Sequence, residues 1–310
     1  MKKIILALAL LVAVPSVMAQ EPLWQGKGRI AISSDGNEHD DDDWAATPLS
    51  LALLASQGLQ DKLVLYTYSD HIWGSNQEQP FKSGMTAYEH MRESALGGKE
   101  RFGFDNSEFI CAVDNAHVAY EAMKNVINES TEDNPLIIIA AGPMQVVGEA
   151  LNRADKRALK YVTVLSHSWW NDNHSEECYI DLDVNWLPKD VDFSWDNHTG
   201  WTWKAMEKAF SPTDKGGVKF VHICDQNGGE DYDAFQAHRD KFDWLKTSKA
   251  RKNKAYKEGS WDWLYSRIAC CPKGDNFDPS DTGMVVYMLT GIEKTEPYMA
   301  QELMENPVVK

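Results

Sequence analysis

The sequence predicts an α/β fold, an open and mostly parallel sheet with helices on both faces. Three observations predict it. Largely apolar runs recur at 30–32, 62–68, 135–140, 160–165 and 218–223, the pattern of strands buried on both faces. Stretches with helical spacing separate those runs, as in βαβ units. Polar residues then gather just past the ends of the runs, where an open α/β sheet binds its ligands.

Taken in order, the run at 30–32 stops at the turn signal Asp35-Gly36-Asn37 and is followed by Glu38, His39 and four consecutive aspartates at 40–43. Thr47 is read as an N-cap with Pro48 at the first helical position, and Leu49, Ala52, Leu53 and Ser56 follow at helical spacing. The strand at 62–68 leads into a polar segment, 70–80, that carries His71 and Trp73. Helices are expected at 85–96 and 115–127, and Gly142-Pro143 opens another that runs through Leu151. An irregular region, 166–199, precedes a helix at 200–210, and helical patterns follow around 232–245, 261–268 and 282–289. The motif at 261–268 is read as a buried helix face. No internal repeat is present.

Residues 1–19 have the form of a secretory signal peptide: Lys2 and Lys3, an apolar core at 4–14, and Val17-Met18-Ala19 as a small-residue cleavage site. The mature chain is expected to start near Gln20 and to be periplasmic or secreted. Its residues 20–310 lack a Pro/Gly/Ser-rich linker, which predicts one domain. No cysteine follows the cleavage site to take a lipid, and no later stretch has the apolar length of a membrane span. The net charge of −16 becomes −18 without Lys2 and Lys3. Such a surface disfavours nucleic acid and anionic membrane and suits a cation or a neutral small-molecule substrate. Homo-oligomer formation is left open. Five cysteines are an odd number for an oxidising compartment, so at least one is expected to be free, and all are read as structural. Twelve tryptophans exceed the usual count and serve either core filling or stacking on sugar rings.

The acidic loop is the chemical centre of this reading. So many carboxylates at one strand end repel one another unless a cation sits among them, and an all-oxygen donor set suits a hard ion such as Ca2+ or Mg2+. The loop is no EF-hand, because the glycine at the sixth position and the terminal glutamate are absent. A phosphatase that forms an aspartyl phosphate is disfavoured too, since Ser33 stands where its nucleophile would be. Segment 166–174 sets Trp169 and Trp170 beside His167, Asn171, Asn173 and His174. That mixture of rings, amides and imidazoles fits a sugar subsite.

Three segments carry a resemblance. Ser33-Ser34-Asp35-Gly36-Asn37 leads through the aspartates at 40–43 into an alanine-rich helix; the apolar run from Asn134 ends in Ala141-Gly142-Pro143-Met144; and Asp278-Pro279-Ser280-Asp281-Thr282-Gly283 opens a late helix. In this order, over roughly residues 28–292, they resemble the nucleoside hydrolase superfamily. Its inosine-uridine branch has D-x-D-P-G-x-D-D after the first strand, Thr-Gly-Pro-Leu-Thr-Asn after a middle one, and a late His-Asp-Pro. The resemblance implies a nucleoside hydrolase-like fold and Ca2+ held by Asp35, Asp43, Asp281 and the carbonyl of Ala141, with Asp42 as general base. If loop spacing guides the alignment instead, Asp40 takes the ligand position, His39 becomes its neighbour, and Asp40 or Asp41 the base. Both alignments stay open.

The chain also departs from the family. Ser33 replaces the first aspartate, the loop is longer by three residues if Asp42-Asp43 matches the family's Asp-Asp pair, and Ser280 replaces the late histidine. The family's sugar-binding segment is replaced by residues 192–200, which supply Asp196, Asn197 and His198. The expected function is a secreted, Ca2+-dependent hydrolase of glycosidic bonds, N-ribosyl or O-glycosidic. One carboxylate activates water against an oxocarbenium-like transition state, and His71, His167, His174 or His198 is the candidate acid. Asn37, His39, His71, Trp73, His167, Trp170, Asn171, Asn173, Asp196 and Asn197 are the candidate substrate contacts. The competing expectation is a non-catalytic periplasmic sugar-binding protein with a structural calcium site.

Overall fold

The computed structural model describes residues 20–36, 40–70, 80–172, 200–212, 216–229, 232, 234–254 and 256–308. Six parallel strands form the main sheet: β1 (Arg29–Ser34), β2 (Leu63–Tyr68), β3 (Glu108–Cys111), β4 (Leu136–Ala141), β5 (Val162–His167) and β6 (Lys219–Ile223). They lie in the order β3-β2-β1-β4-β5-β6. The chain steps outward from β1 to β3, returns to place β4 beside β1, and steps outward the other way. β1 and β4 therefore flank the switch point, where the loops leaving adjacent strands diverge and open a crevice. Their register pairs Ser34 with Ala141 at the crevice floor.

Apolar side chains alternate across the sheet, so each face has its own core. Ile30, Ile32, Ile137 and Ile139 face one layer, made by α1 (Asp43–Ser56), α2 (Ala87–Phe102), α6 (Ser260–Ile268), α7 (Thr282–Thr290) and α8 (Pro297–Glu305). Ala31, Leu65, Leu136 and Ile138 face the other, made by α3 (Ala116–Asn128), α4 (Gln145–Arg153) and α5 (Trp203–Phe210). This two-sided burial is why the central strands β1 and β4 read as apolar runs. Trp261 is buried as expected.

Several expectations are corrected. Helix α1 begins at Asp43, not after Thr47, and encloses Pro48. Pro48 has no N–H to give the carbonyl four residues back, and the Ser94 hydroxyl donates to that carbonyl, on Trp44, at 2.6 Å. Strand β3 is a four-residue edge strand with only Cys111 buried; the sequence expectation passes over it, although Phe109 to Val113 is an apolar run. Helix α8 was not expected either.

The pattern at 232–245 is not a helix. It holds β7 (Ala237–His238), a 3-10 turn at Arg239–Phe242 and a short helical turn at Trp244–Thr247. With β8 (Pro272–Lys273) and β9 (Asn276–Phe277), β7 forms a small antiparallel sheet in the order β7-β9-β8. Cys111, Cys224, Cys270 and Cys271 carry no disulfide, and Cys178 lies outside the described residues. Among the described residues, no helix is long and apolar enough to cross a membrane.

Candidate functional site

The chain leaving β1 turns at Asp35 directly over the switch point. The Asp35 N–H donates to Asp43 Oδ2 at 2.9 Å, and the Gly36 N–H donates to Asp35 Oδ1 at 2.6 Å. Trp44 closes the turn by donating from Nε1 to the Gly36 carbonyl at 2.7 Å. Asp43 thus ties the first turn of α1 to the end of β1. Gly142, at φ +128°, makes room from the β4 side: a Cβ there would lie 2.9 Å from Asp35 Cγ and 3.1 Å from the Asp35 N. Gly142→Ala is therefore expected to cost about 1–3 kcal/mol of stability, from backbone strain and a clash with Asp35, measurable by urea unfolding.

Oxygens of Asp35, Asp40 and Asp42 all lie within 4.8 Å of one another. Asp35, Asp42 and Asp43 are buried, and Asp40 keeps part of its surface at the cleft. Burial, then charge from Asp42 and Asp281, holds the carboxyls of Asp35, Asp40 and Asp43 well above the usual range. Asp42 is raised by burial, then by Asp281 and Asp278. Its Oδ2 accepts a 3.0 Å bond from Ser280 Oγ, and its Oδ1 has no hydrogen-bond partner among the described residues. A dry cluster of like charges with bare acceptors is unfavourable until something positive enters it. Every donor is oxygen, so the residues fit a hard divalent cation.

Asp281, just before α7, comes to the same place. His167 Nε2 lies 2.6 Å from Asp281 Oδ1, and Asn171 Nδ2 donates to that oxygen at 3.1 Å. His167 Nδ1 is 3.6 Å from Asp225 Oδ1. Burial pulls the imidazole pKa down, but Asp225 and Asp281 more than offset it and push it up to about 9. The next residue, Ser168, is held at φ +71°, a conformation unusual for a residue with a Cβ. Beyond it, residues 169–172 make one helical turn that presents Trp169 and Trp170, 59% and 42% exposed.

An open cleft of about 500 Å3 lies over these groups. Of the expected site residues, Asp40, Asp42, His167, Trp170, Asn171 and Asp281 line it. Asp35 and Asp43 stand at its base, and Ala141 is buried where β4 ends, opposite Ser34. Asn37, His39, His71, Trp73, Asn173, His174, Asp196, Asn197 and His198 lie outside the described residues. The lining also includes Asp225 and Asn227, at a strand end that the sequence already directs to the crevice, and Gln236, Lys273 and Asp278, which the sequence does not single out as site residues. Asp278 stood inside the Asp-Pro-Ser-Asp motif, a signal that could have found it. Gln236 and Lys273 gave none: Gln236 sits inside the helical pattern at 232–245, and Lys273 lies on a two-residue strand too short to read.

No family model matches the chain. The uncharacterized protein P22 of Formosa agariphila is 31% identical over 287 residues, covering 88% of this chain and 87% of that protein. Among solved structures, the inosine-uridine preferring nucleoside hydrolase from Bacillus anthracis is similar with a TM-score of 0.42 at 12% identity, over 84% of this chain and 81% of that one.

Proposed function

We propose, from the premise that this chain belongs to the same family as the uncharacterized protein P22 of Formosa agariphila, that it is an exported hydrolase of glycosidic bonds, dependent on a divalent cation. The bond is the N-ribosyl bond of a nucleoside or the O-glycosidic bond of a saccharide. What supports this most is the convergence of Asp35, Asp40 and Asp42 oxygens at the end of β1, beside Asp281 and under a cleft walled by tryptophan, amide and carboxylate groups.

Asp35, Asp40, Asp43, Asp281 and the Ala141 carbonyl are assigned to hold the cation, for which Ca2+ is the best match to an all-oxygen set. A bound divalent ion would offset the repulsion among these carboxylates and acidify a water it held. Asp42 is assigned as the base: it lines the cleft beside Asp40, and Ser280 fixes one of its oxygens. His167, whose Nδ1 accepts from the Gln226 N–H at 3.2 Å so that Nε2 is left to donate, and Asn171 hold Asp281 in orientation. The proton for the leaving group is assigned, on sequence alone, to His174 or His198.

Trp169 and Trp170 supply stacking surface for a sugar or base ring. The double change to alanine is expected to raise KM about tenfold, since each aromatic pair contributes about 0.5–1.5 kcal/mol. Tm should move little, because both rings are substantially exposed.

A second reading, a non-catalytic periplasmic sugar-binding protein with a structural calcium site, is favoured by one observation: Ser280 stands where the resembled family has a histidine, and it donates to the assigned base. Incubation with Ca2+ and a panel of p-nitrophenyl glycosides and nucleosides separates the two. Release of nitrophenol or free base supports the hydrolase. Cation and sugar binding without turnover on any substrate selects the binding protein.

A further inference from the structure

The small sheet brings three side chains to the cleft that have no part in the cation cluster. Gln236 precedes β7, Lys273 lies on β8 and Asp278 follows β9, and all three line the cleft. Asp278 is only 3% exposed. Its N–H donates to the Cys271 carbonyl at 3.1 Å, and Gln236 Nε2 donates to its Oδ2 at 2.5 Å. The backbone and one oxygen are thereby fixed; Ser280 lies against the same carboxyl, but its single O–H is given to Asp42, and Oδ1 has no hydrogen-bond partner among the described residues. A buried acceptor held so firmly and left bare is costly unless a ligand meets it. The three carboxylates that gather within 4.8 Å of one another do not include it.

Beside it stands a donor with hydrogens to spare. Lys273 Nζ forms an ion pair with Asp41, 3.1 Å from its Oδ1, and has three N–H groups to offer. The lip of the cleft therefore offers an acceptor in need of a donor next to a donor in need of an acceptor. A hydroxyl group satisfies both. A phosphate or carboxylate has no proton to give Asp278 at neutral pH, and it would face Asp40, Asp42, Asp225 and Asp281 as well.

Resting on the reading of this cleft as a glycoside or nucleoside site, we infer that Asp278, fixed by Gln236 and flanked by Lys273, is a specificity-determining subsite for a hydroxyl of a neutral, unphosphorylated sugar ring.

The test is binding, by calorimetry on the full Ca2+-loaded protein, of the p-nitrophenyl glycosides and nucleosides named above, each beside its phosphorylated counterpart. At least one neutral probe is expected to bind, and its phosphorylated form at least tenfold more weakly. Asp278→Ala should weaken the neutral probe at least tenfold. Asp278→Asn should fall between, because an amide N–H can still donate to the hydroxyl oxygen. Gln236→Ala, which leaves the charge in place but frees its orientation, should weaken the probe about threefold and guards against misfolding of the first variant. Ca2+ affinity, titrated separately, should stay within about twofold in all three. The proposal fails if no neutral probe binds, if the phosphorylated form binds as well as the neutral one, if probe affinity is unchanged in the variants, or if Asp278→Ala loses Ca2+, which would make Asp278 a cation ligand. Probe binding through Asp278 without cleavage would overturn the hydrolase reading and leave this one standing.

Discussion

Replacing Asp42 by asparagine is expected to lower kcat about 100- to 10,000-fold on whichever glycoside or nucleoside the protein cleaves, the range a positioned proton acceptor contributes. The reason is local. Asparagine keeps the shape and can still accept from Ser280, but it cannot take a proton from water. KM should change little, since Asp42 is assigned to the proton transfer and not to holding the sugar. Tm should not fall, because one charge leaves a buried cluster whose members raise one another's pKa. A kcat within tenfold of wild type would remove Asp42 from the role of base. Asp40→Asn separates the two alignments of the acidic loop: loss of Ca2+ affinity marks Asp40 as a ligand, and loss of kcat with affinity intact marks it as the base.

Removing divalent cations is expected to lower Tm by roughly 5–10 °C near neutral pH. A ligand at 100 times its Kd contributes about 2.7 kcal/mol, and a chain of this size shifts by about 2–4 °C per kcal/mol. The pH dependence of the stripped protein has a defined sign. Asp35, Asp40, Asp42 and Asp43 have folded-state pKa values above their unfolded ones, by burial first and by mutual repulsion second. Groups shifted upward stabilise the fold below their unfolded pKa of about 3.9 and lose that contribution as pH rises through the folded value. The stripped protein should therefore be more heat-stable near about pH 5 than near about pH 8, as far as these groups decide it. Added Ca2+ should reverse the trend, since the ligands it holds must be deprotonated and binding releases protons. Calorimetric scans with EDTA and with Ca2+ at the two pH values check this. A stripped protein that gains stability with rising pH, or a Tm indifferent to Ca2+, would remove the cation site.

Much of the candidate site was legible because it is local in the sequence. Asp35, Asp40, Asp42 and Asp43 fall on one loop, and Asp281 opens a helix in a motif of its own. The rule that strand ends converge brought His167 and Asn171 into the same reading before any geometry. What stayed hidden had short or misleading local signals. Strand β3 is a four-residue edge strand, short and only partly buried. Residues 232–245 repeat apolar positions at helical spacing, yet their backbone pairs with β9. Pro48 marks a helix start in isolation, and only the Ser94 hydroxyl, 46 residues away, lets the helix begin earlier.

The sequence by itself determined the α/β class and the acidic end of β1, because two-sided burial and charge crowding are written in consecutive residues. Tertiary structure decided how those carboxylates divide their work. Asp43 turns back to the Asp35 N–H, Ser280 crosses from before α7 to take one oxygen of Asp42, and the small sheet delivers Asp278 with an oxygen still bare. Each of these depends on which donor reaches which lone pair across the switch point, a question of distance in space that spacing along the chain does not contain.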